Sequence, residues 1–284
     1  MKRSDDLAAA RGQALLAEAI EAHGGAARWL SAHTITTAVQ LRGAMPTVLF
    51  PGRPLDDYHF TQTVDVQRQR TVMSGFPQPG TTCTFTPHEV TVESDGQRVD
   101  QRSHPRNAFR GRGAIRRLVR WDTIDSAYFV GYAMSNYLTH PYSLGRTGIN
   151  VWRGPDWRGE TETWRRLYVR HPAGYDSHCR DETLFVDEHG LVRRHEYVPD
   201  ILTAARMFSR TMRGWVRAAN FPTRHQEWDG LVLPTFRRIM LAPVGRPPVP
   251  GFTPICAQIS EIRVSFAKPE SPAATATEPM MADQ

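Results

Sequence analysis

The sequence predicts a mainly β chain of the α+β kind: one large curled antiparallel sheet, a half-barrel. An N-terminal helix and a mid-chain helix are predicted to cover or plug its concave face. Three observations predict this. Period-two alternation of apolar and polar residues recurs from residue 33 to residue 266. Three tight-turn signals, Ser94-Asp95-Gly96, Asp187-Glu188-His189-Gly190 and Trp228-Asp229-Gly230, join neighbouring runs into hairpins rather than crossovers. One segment, 121–144, is apolar nearly all round at helical spacing. The strand runs number roughly nine to eleven, and a sheet that wide must curl or split.

The elements follow in order. Residues 4–23 read as a helix that Ser4 or Asp5 caps, with Leu15, Leu16, Ala19 and Ile20 as its apolar stripe. Gly24-Gly25 ends it, and a short turn carries Trp29 and Leu30. In 33–42, Ile35, Thr37, Val39 and Leu41 share a face; in 58–67, Tyr58, Phe60, Gln62, Val64 and Val66 do. Runs 81–85, 89–93 and 97–101 are short and β-rich. Residues 102–120 hold Arg102, Arg106, Arg110, Arg112, Arg116, Arg117 and Arg120, and read as a loop or a frayed basic helix. The apolar helix then starts at Trp121-Asp122 and stops at Pro141. Strands return at 162–171, 182–186, 191–198, 232–241 and 255–266, with a β-rich or mixed stretch at 207–228. Residues 1–266 are expected to form one half-barrel domain with a helical lid, and the Ala/Thr/Pro/Glu-rich 267–284 a disordered tail.

Composition narrows the function. The chain has 284 residues, 40% of them hydrophobic, enough for a sizeable core. Net charge is +6, and of the basic residues only Lys2 and Lys268 are lysines. Arginine is the side chain of carboxylate and phosphate forks, although a GC-rich genome produces the same bias. Cys83, Cys179 and Cys256 are far apart and odd in number, so no disulfide framework or zinc knuckle is suggested, and free thiols fit a reducing compartment. No signal-like apolar region follows Met1-Lys2-Arg3, and no run approaches the ~18 apolar residues of a membrane span. The expectation is a cytoplasmic protein without membrane insertion.

Four short motifs carry a resemblance. They are Glu21-Ala22-His23-Gly24-Gly25 before Trp29; Trp121-Asp122 before Tyr128-Phe129-x-Gly131-Tyr132-Ala133; Arg193-Arg194-His195-Glu196-Tyr197; and His225-Gln226-Glu227-Trp228-Asp229-Gly230 before Leu233-Pro234-Thr235. Across about residues 18–266 the chain resembles a bacterial protein family laid out like the lipoprotein carriers (LolA/LolB-like): a curled antiparallel half-barrel with helices over its mouth. The resemblance implies a fold and an apolar cavity rather than a reaction. Two stretches, 106–120 and 203–220, are longer than that pattern, which implies a specialised cavity. Lipoprotein sorting is not carried over, because those carriers have export signals.

No motif assigns a chemistry. His225-x-Glu227 has no later histidine to complete a facial triad, so no metal is expected. Gly111-x-Gly113 lacks a third glycine and a preceding strand; no phosphate loop and no nucleophile elbow occur, so no cofactor is expected. Candidate catalytic residues are His195 and Tyr197, in phase with Leu191 and Arg193, and Glu227, in phase with His225 and Asp229. The alternative for each is a strand-pair or solvated side chain. Candidate ligand-binding residues are Trp121, Tyr128, Tyr132, Tyr137, Trp215 and Trp228, whose alternative is plain aromatic core. The expected partner is an apolar small molecule, polyketide- or lipid-like, with a cofactor-free cyclisation or isomerisation as the reaction such a cavity would support. The alternative function is a non-catalytic intracellular carrier of a hydrophobic ligand. The arginines of 102–120 suit an acidic carrier protein better than nucleic acid, since no aromatics interleave them.

Overall fold

The computed structural model describes residues 2–50, 58–110, 113–202, 217–242 and 248–266. Helix α1 (Lys2–Ala22) and the short α2 (Ala26–Ser31) lead into β1 (Ala32–Arg42) and α3 (Ala44–Leu49). A meander follows: β2 (Tyr58–Asp65), β3 (Arg70–Ser74), β4 (Thr81–Phe85), β5 (Glu89–Ser94) and β6 (Gln97–Ser103). A 3-10 turn at Pro105–Phe109 and α4 (Gly113–Arg116) precede α5 (Thr123–Thr139). The second half comprises β7 (Asn150–Arg153), β8 (Trp157–Arg158), β9 (Thr163–Arg170), β10 (Asp181–Val186), β11 (Val192–Tyr197), β12 (Ala218–Trp228), β13 (Leu231–Leu241) and β14 (Ile255–Phe266).

All 14 strands belong to one open antiparallel sheet, ordered β6-β5-β4-β3-β2-β1-β14-β13-β12-β11-β10-β9-β7, with β8 attached to β9. Two meanders therefore meet where β1 pairs β14, a join between opposite ends of the chain. The sheet has more strands than the roughly nine to eleven that turn signals and alternation mark out. The extra ones are short: β3, β7 and β8 span two to five residues and show little period-two contrast. The hairpin turns form where the dipeptides place them, with Asp95-Gly96 and Asp229-Gly230 at positive φ. The alternating faces of β1 and β2 are buried as their phase requires.

Helix α5 is the plug. Asp122 and Asp125 close a capping box at its start, with the Asp125 N–H donating to Asp122 Oδ1 at 2.7 Å and the Asp122 N–H to Asp125 Oδ2 at 3.2 Å. Every residue from Ile124 to Thr139 is buried, because the first meander covers one side and the second meander the other. The helix ends at Thr139, earlier than the apolar pattern to 144 suggests; Tyr142–Gly145 is a separate 3-10 turn. Gly131 lets it approach β4: a Cβ there would sit 2.3 Å from Phe85 Cβ, and the Gly131 carbonyl accepts from Thr71 Oγ1 at 3.0 Å. Gly131→Ala gains about 1 kcal/mol of helix propensity. Overpacking against Phe85 costs about 1–3 kcal/mol. The expected net loss of stability is measurable by urea unfolding, and an unchanged midpoint would mean that the helix and β4 are not in contact.

Helix α1 covers the other end of the sheet. Leu15, Leu16 and Ala19 pack on Leu167, Val169, Leu184 and Val192, and Gly12 lies against the Trp152 backbone. The helix begins at Lys2, ahead of Ser4 and Asp5. Its glycine stop meets the β12–β13 turn: the Val232 N–H donates to the His23 carbonyl at 2.7 Å, and Arg28 Nε to the Asp229 carbonyl at 2.6 Å. Two motifs far apart in sequence, His23-Gly24-Gly25 and Trp228-Asp229-Gly230, thus form one corner.

The arginine stretch is neither a plain loop nor a frayed helix. Arg102 lies in β6, and Arg102, Arg106 and Arg117 turn inward onto carboxylates, while Arg110, Arg116 and Arg120 are exposed. Arg102 and Arg117 each reach Asp125 Oδ1 at 2.7 Å. Arg106 bridges Asp176 at 3.2 Å and Asp200 at 3.1 Å. Among the described residues no helix is long and apolar enough to cross a membrane. The expected tail, 267–284, lies outside the described residues, as do Arg112, Arg206, Arg210 and Arg213.

Candidate functional site

The inner face of the second meander carries charged groups, whereas the buried polar side chains of the first, Thr37, Gln62 and Thr71, are neutral. Across β10–β13 the residues facing α5 are Glu182, His195, Tyr197, Asn220 and Arg237, all buried. His195 and Tyr197 point inward as their shared phase predicts, but Arg193 does not share that face. The pairing skips from Val186–Val192 to Phe185–Arg194, so Arg193 sits in a bulge and the phase shifts by one residue. Arg194 and Glu196 form an ion pair on the opposite face, joined by Arg217 at 3.1 Å.

Glu182 is the centre of the polar cluster. Its Oε2 accepts from His195 Nε2 at 2.9 Å and from His171 Nε2 at 3.1 Å; Ser177 Oγ donates to Oε1. Burial opposes ionisation of Glu182, but His195 and His171 overturn it and hold the carboxyl well below its usual range. His140, whose ring centroid lies 5.5 Å from that of His195, is driven down by burial and then by His195.

A second chain of hydrogen bonds runs from α5 to β11. His178, on the β9–β10 connection, contacts Tyr132 through Nδ1 at 3.3 Å and Tyr137 through Nε2 at 3.0 Å. Tyr137 Oη meets Tyr197 Oη at 2.9 Å, and the His178 and Tyr197 rings stack at 3.8 Å. Burial pushes His178 down to about 3 and Tyr137 up to about 12, and raises Tyr132 and Tyr197 well above the phenol value. All four groups are neutral across the physiological range. Tyr128 lies one turn earlier, between Arg106 and Asp176 Oδ1, each 3.1 Å from its hydroxyl.

Above this chain is a partly open apolar recess of about 50 Å³. Helix α3 supplies Met45, α5 supplies Phe129, and the sheet supplies Ala218, Ile239, Leu241 and Ile255. His178 and Tyr197 are its polar lining groups. Val48, on α3, and Phe252, on the segment that α3 hydrogen-bonds through Ala44 and Met45, are exposed.

The sequence-derived candidates divide. Tyr132, Tyr137, His195 and Tyr197 come together around His178, with Tyr128 adjoining. Trp121 is buried at the start of α5, stacked 5.5 Å from Phe50 and donating to the Arg117 carbonyl, and does not line the recess. Glu227 and Trp228 lie at the far turn of β12, where Glu227 is exposed. The register pairs Glu227 with Val232, on the face opposite to the inward series Leu231, Leu233, Thr235 and Arg237, so the phase it shares with His225 and Asp229 is the outward one. Trp215 lies outside the described residues. Not anticipated were His178, Glu182, Asn220 and Arg237. Arg237 has a visible signal, as the one charge in the inward series Leu231, Leu233, Thr235, Arg237, Ile239. His178 has none, because its loop reads as turn-rich polar sequence. Among the described residues no cluster of three or more histidine, cysteine or acidic side chains is arranged to hold a metal ion.

An open, curled antiparallel sheet wrapped around a buried helix is the architecture of the LolA-like half-barrels, and the chain has that fold. It is similar to a LolA superfamily protein from Nitrosomonas europaea, with 10% identity over 90% of this chain and 94% of that one, at a TM-score of 0.50. A DUF1329 family protein from Desulfovibrio piger is also similar, with 10% identity over 88% of this chain and 92% of that one, at a TM-score of 0.47. At such identities the likeness is one of fold. No family model matches the chain, and no curated protein matches it.

Proposed function

We propose that this protein encloses an apolar small molecule, polyketide- or lipid-like, between α5 and the β11–β14 part of the sheet. The observation that carries this reading is the recess itself: apolar walls from both the helix and the sheet, with His178 and Tyr197 as its polar contacts. Ligand sites have this character, mostly apolar with a few convergent polar groups. Typical sites hold about 300–1,000 Å³. A ligand of that size occupies the open mouth and parts the walls.

Binding is favoured over a cofactor-free cyclisation or isomerisation. Proton transfer at neutral pH works best with a group whose pKa lies near 7. The groups at the recess are moved away from that value, His178 to about 3 and Tyr197 far above 10. They suit hydrogen bonding to a ligand oxygen rather than proton abstraction. The three free cysteines fit a reducing compartment. Arg102, Arg106 and Arg117 are paired with carboxylates, so the charge an acidic carrier protein would meet there is that of Arg110, Arg116 and Arg120.

The test is saturable binding of the uncharged fluorophore N-phenyl-1-naphthylamine. Ala218→Leu fills the recess and is expected to weaken binding about tenfold, the value of a few buried methylenes. A wild-type chain without saturable binding, or a variant that binds equally well, would sink the proposal.

A further inference from the structure

Arg237 is the anomaly of the interior. It is 4% exposed and sits on the face that meets α5. Its guanidinium donates to the Tyr137 carbonyl and lies 4.7 Å from the centre of the Tyr137 ring. Among the described residues it has no carboxylate partner, and its Nε has no acceptor. Burial pulls it down only to about 10, so it stays charged at neutral pH. Asn220, fully buried, has no partner for either side-chain Nδ2 or Oδ1. An unpaired buried cation and an amide with both ends unmet are each expensive, and natural interiors rarely tolerate them without a bound partner.

The register places these two groups together and beneath the recess. Asn220 pairs with Ile239, and Arg237 pairs with Pro222, so Asn220 and Arg237 are diagonal neighbours on one face. Along β12 the inward residues run from Ala218, which lines the recess, to Asn220; along β13 they run from Leu241 and Ile239, which line it, to Arg237. The pair is therefore the next layer below the apolar walls. We propose that Arg237 and Asn220 bind the carboxylate of an amphipathic monocarboxylic acid whose apolar body fills the recess. This rests on the apolar-ligand reading above and names its ligand class. A monoanion suits the site because it neutralises one arginine; a dianionic phosphate would leave an uncompensated buried charge. The free Nε edge of Arg237 and the Asn220 amide N–H then both donate to carboxylate oxygens.

The experiment compares dodecanoate with 1-dodecanol at pH 8 by calorimetry, using the wild type, Arg237→Met and Asn220→Asp. The wild type is expected to bind dodecanoate about tenfold or more tightly than dodecanol, the scale of one charge-assisted hydrogen bond. Both variants are expected to lose that preference and still bind dodecanol. Without ligand, Arg237→Met is expected to melt no lower than the wild type, since an unpaired buried charge has been removed, and Asn220→Asp to melt higher, since it supplies a counter-ion. Equal binding of the two compounds by the wild type, or a preference that survives Arg237→Met, overturns the carboxylate site and leaves the apolar recess standing. So does a marked fall in the Arg237→Met melting temperature, which would give the arginine a purely structural role on α5. Failure of both compounds to bind the wild type overturns the recess as well.

Discussion

Lowering the pH from 7.5 to 5.5 is expected to cost this protein about 4 kcal/mol of folding stability, a large part of the 5–15 kcal/mol typical of a domain. The cause is a set of histidines buried in the neutral form. Burial depresses His178 and His225 to about 3, and His140 well below 6.5. In the unfolded chain each takes up a proton below its ordinary value of 6.5, whereas in the folded chain it does not. Their contribution is thus intact above pH 6.5 and is lost progressively as the pH falls below it. One pH unit below that value, each costs about 1.4 kcal/mol, and three together cost about 4. Urea unfolding at pH 7.5, 6.5 and 5.5 measures this. A stability that stays level down to pH 5 would mean that the three imidazoles are reached by water.

Glu182→Ala is expected to cost about 3–5 kcal/mol, the loss seen when one partner of a buried ionic cluster is removed. It strands the buried N–H groups of His171 and His195 and the buried hydroxyl of Ser177 without their acceptor. A matched control is Glu18→Ala: its partner is Arg165, the carboxylate is about half exposed, and the change is expected to stay within about 1 kcal/mol. The carboxylate also titrates in its own window. Because its folded value lies below 4.5, its stabilisation is held above that pH and lost below it, beneath the histidine window. Equal melting temperatures for the two variants would place Glu182 in water.

Much of the architecture is legible in the residues. Asp95-Gly96 and Asp229-Gly230 specify their turns locally, and the alternation of β1, β2 and β13 names the inward face without tertiary information. The mid-chain helix is legible because apolar residues surround it, which only a plug requires. Other features depend on partners remote in sequence. Glu227 keeps phase with His225 and Asp229, yet the register with β13 makes that phase the outward one, and Glu227 faces solvent. Arg102, Arg106 and Arg117 look like parts of a docking surface until Asp122, Asp125 and Asp176 fold onto them. His178 comes from a loop with no periodicity, Glu182 opens a strand that is legible at 182–186, and their meeting with His195 is set by strand register that no local pattern encodes. The tyrosines of α5 are legible as inward-facing aromatics, but they do not line the recess, and their neutrality follows from burial on every side.

The β1–β14 pairing bears on how the chain comes into being. Each meander is built from strands adjacent in sequence, so each assembles from short loops, whereas the pairing between them closes a loop of almost the whole chain. During synthesis from the N-terminus, β1–β6 and the helix they cradle emerge first. Throughout that time the outer edge of β1 is an unpaired template, open to any extended segment nearby. Only the last strand, 12 residues long, caps it. Until then the nascent protein exposes a sticky edge of eleven residues.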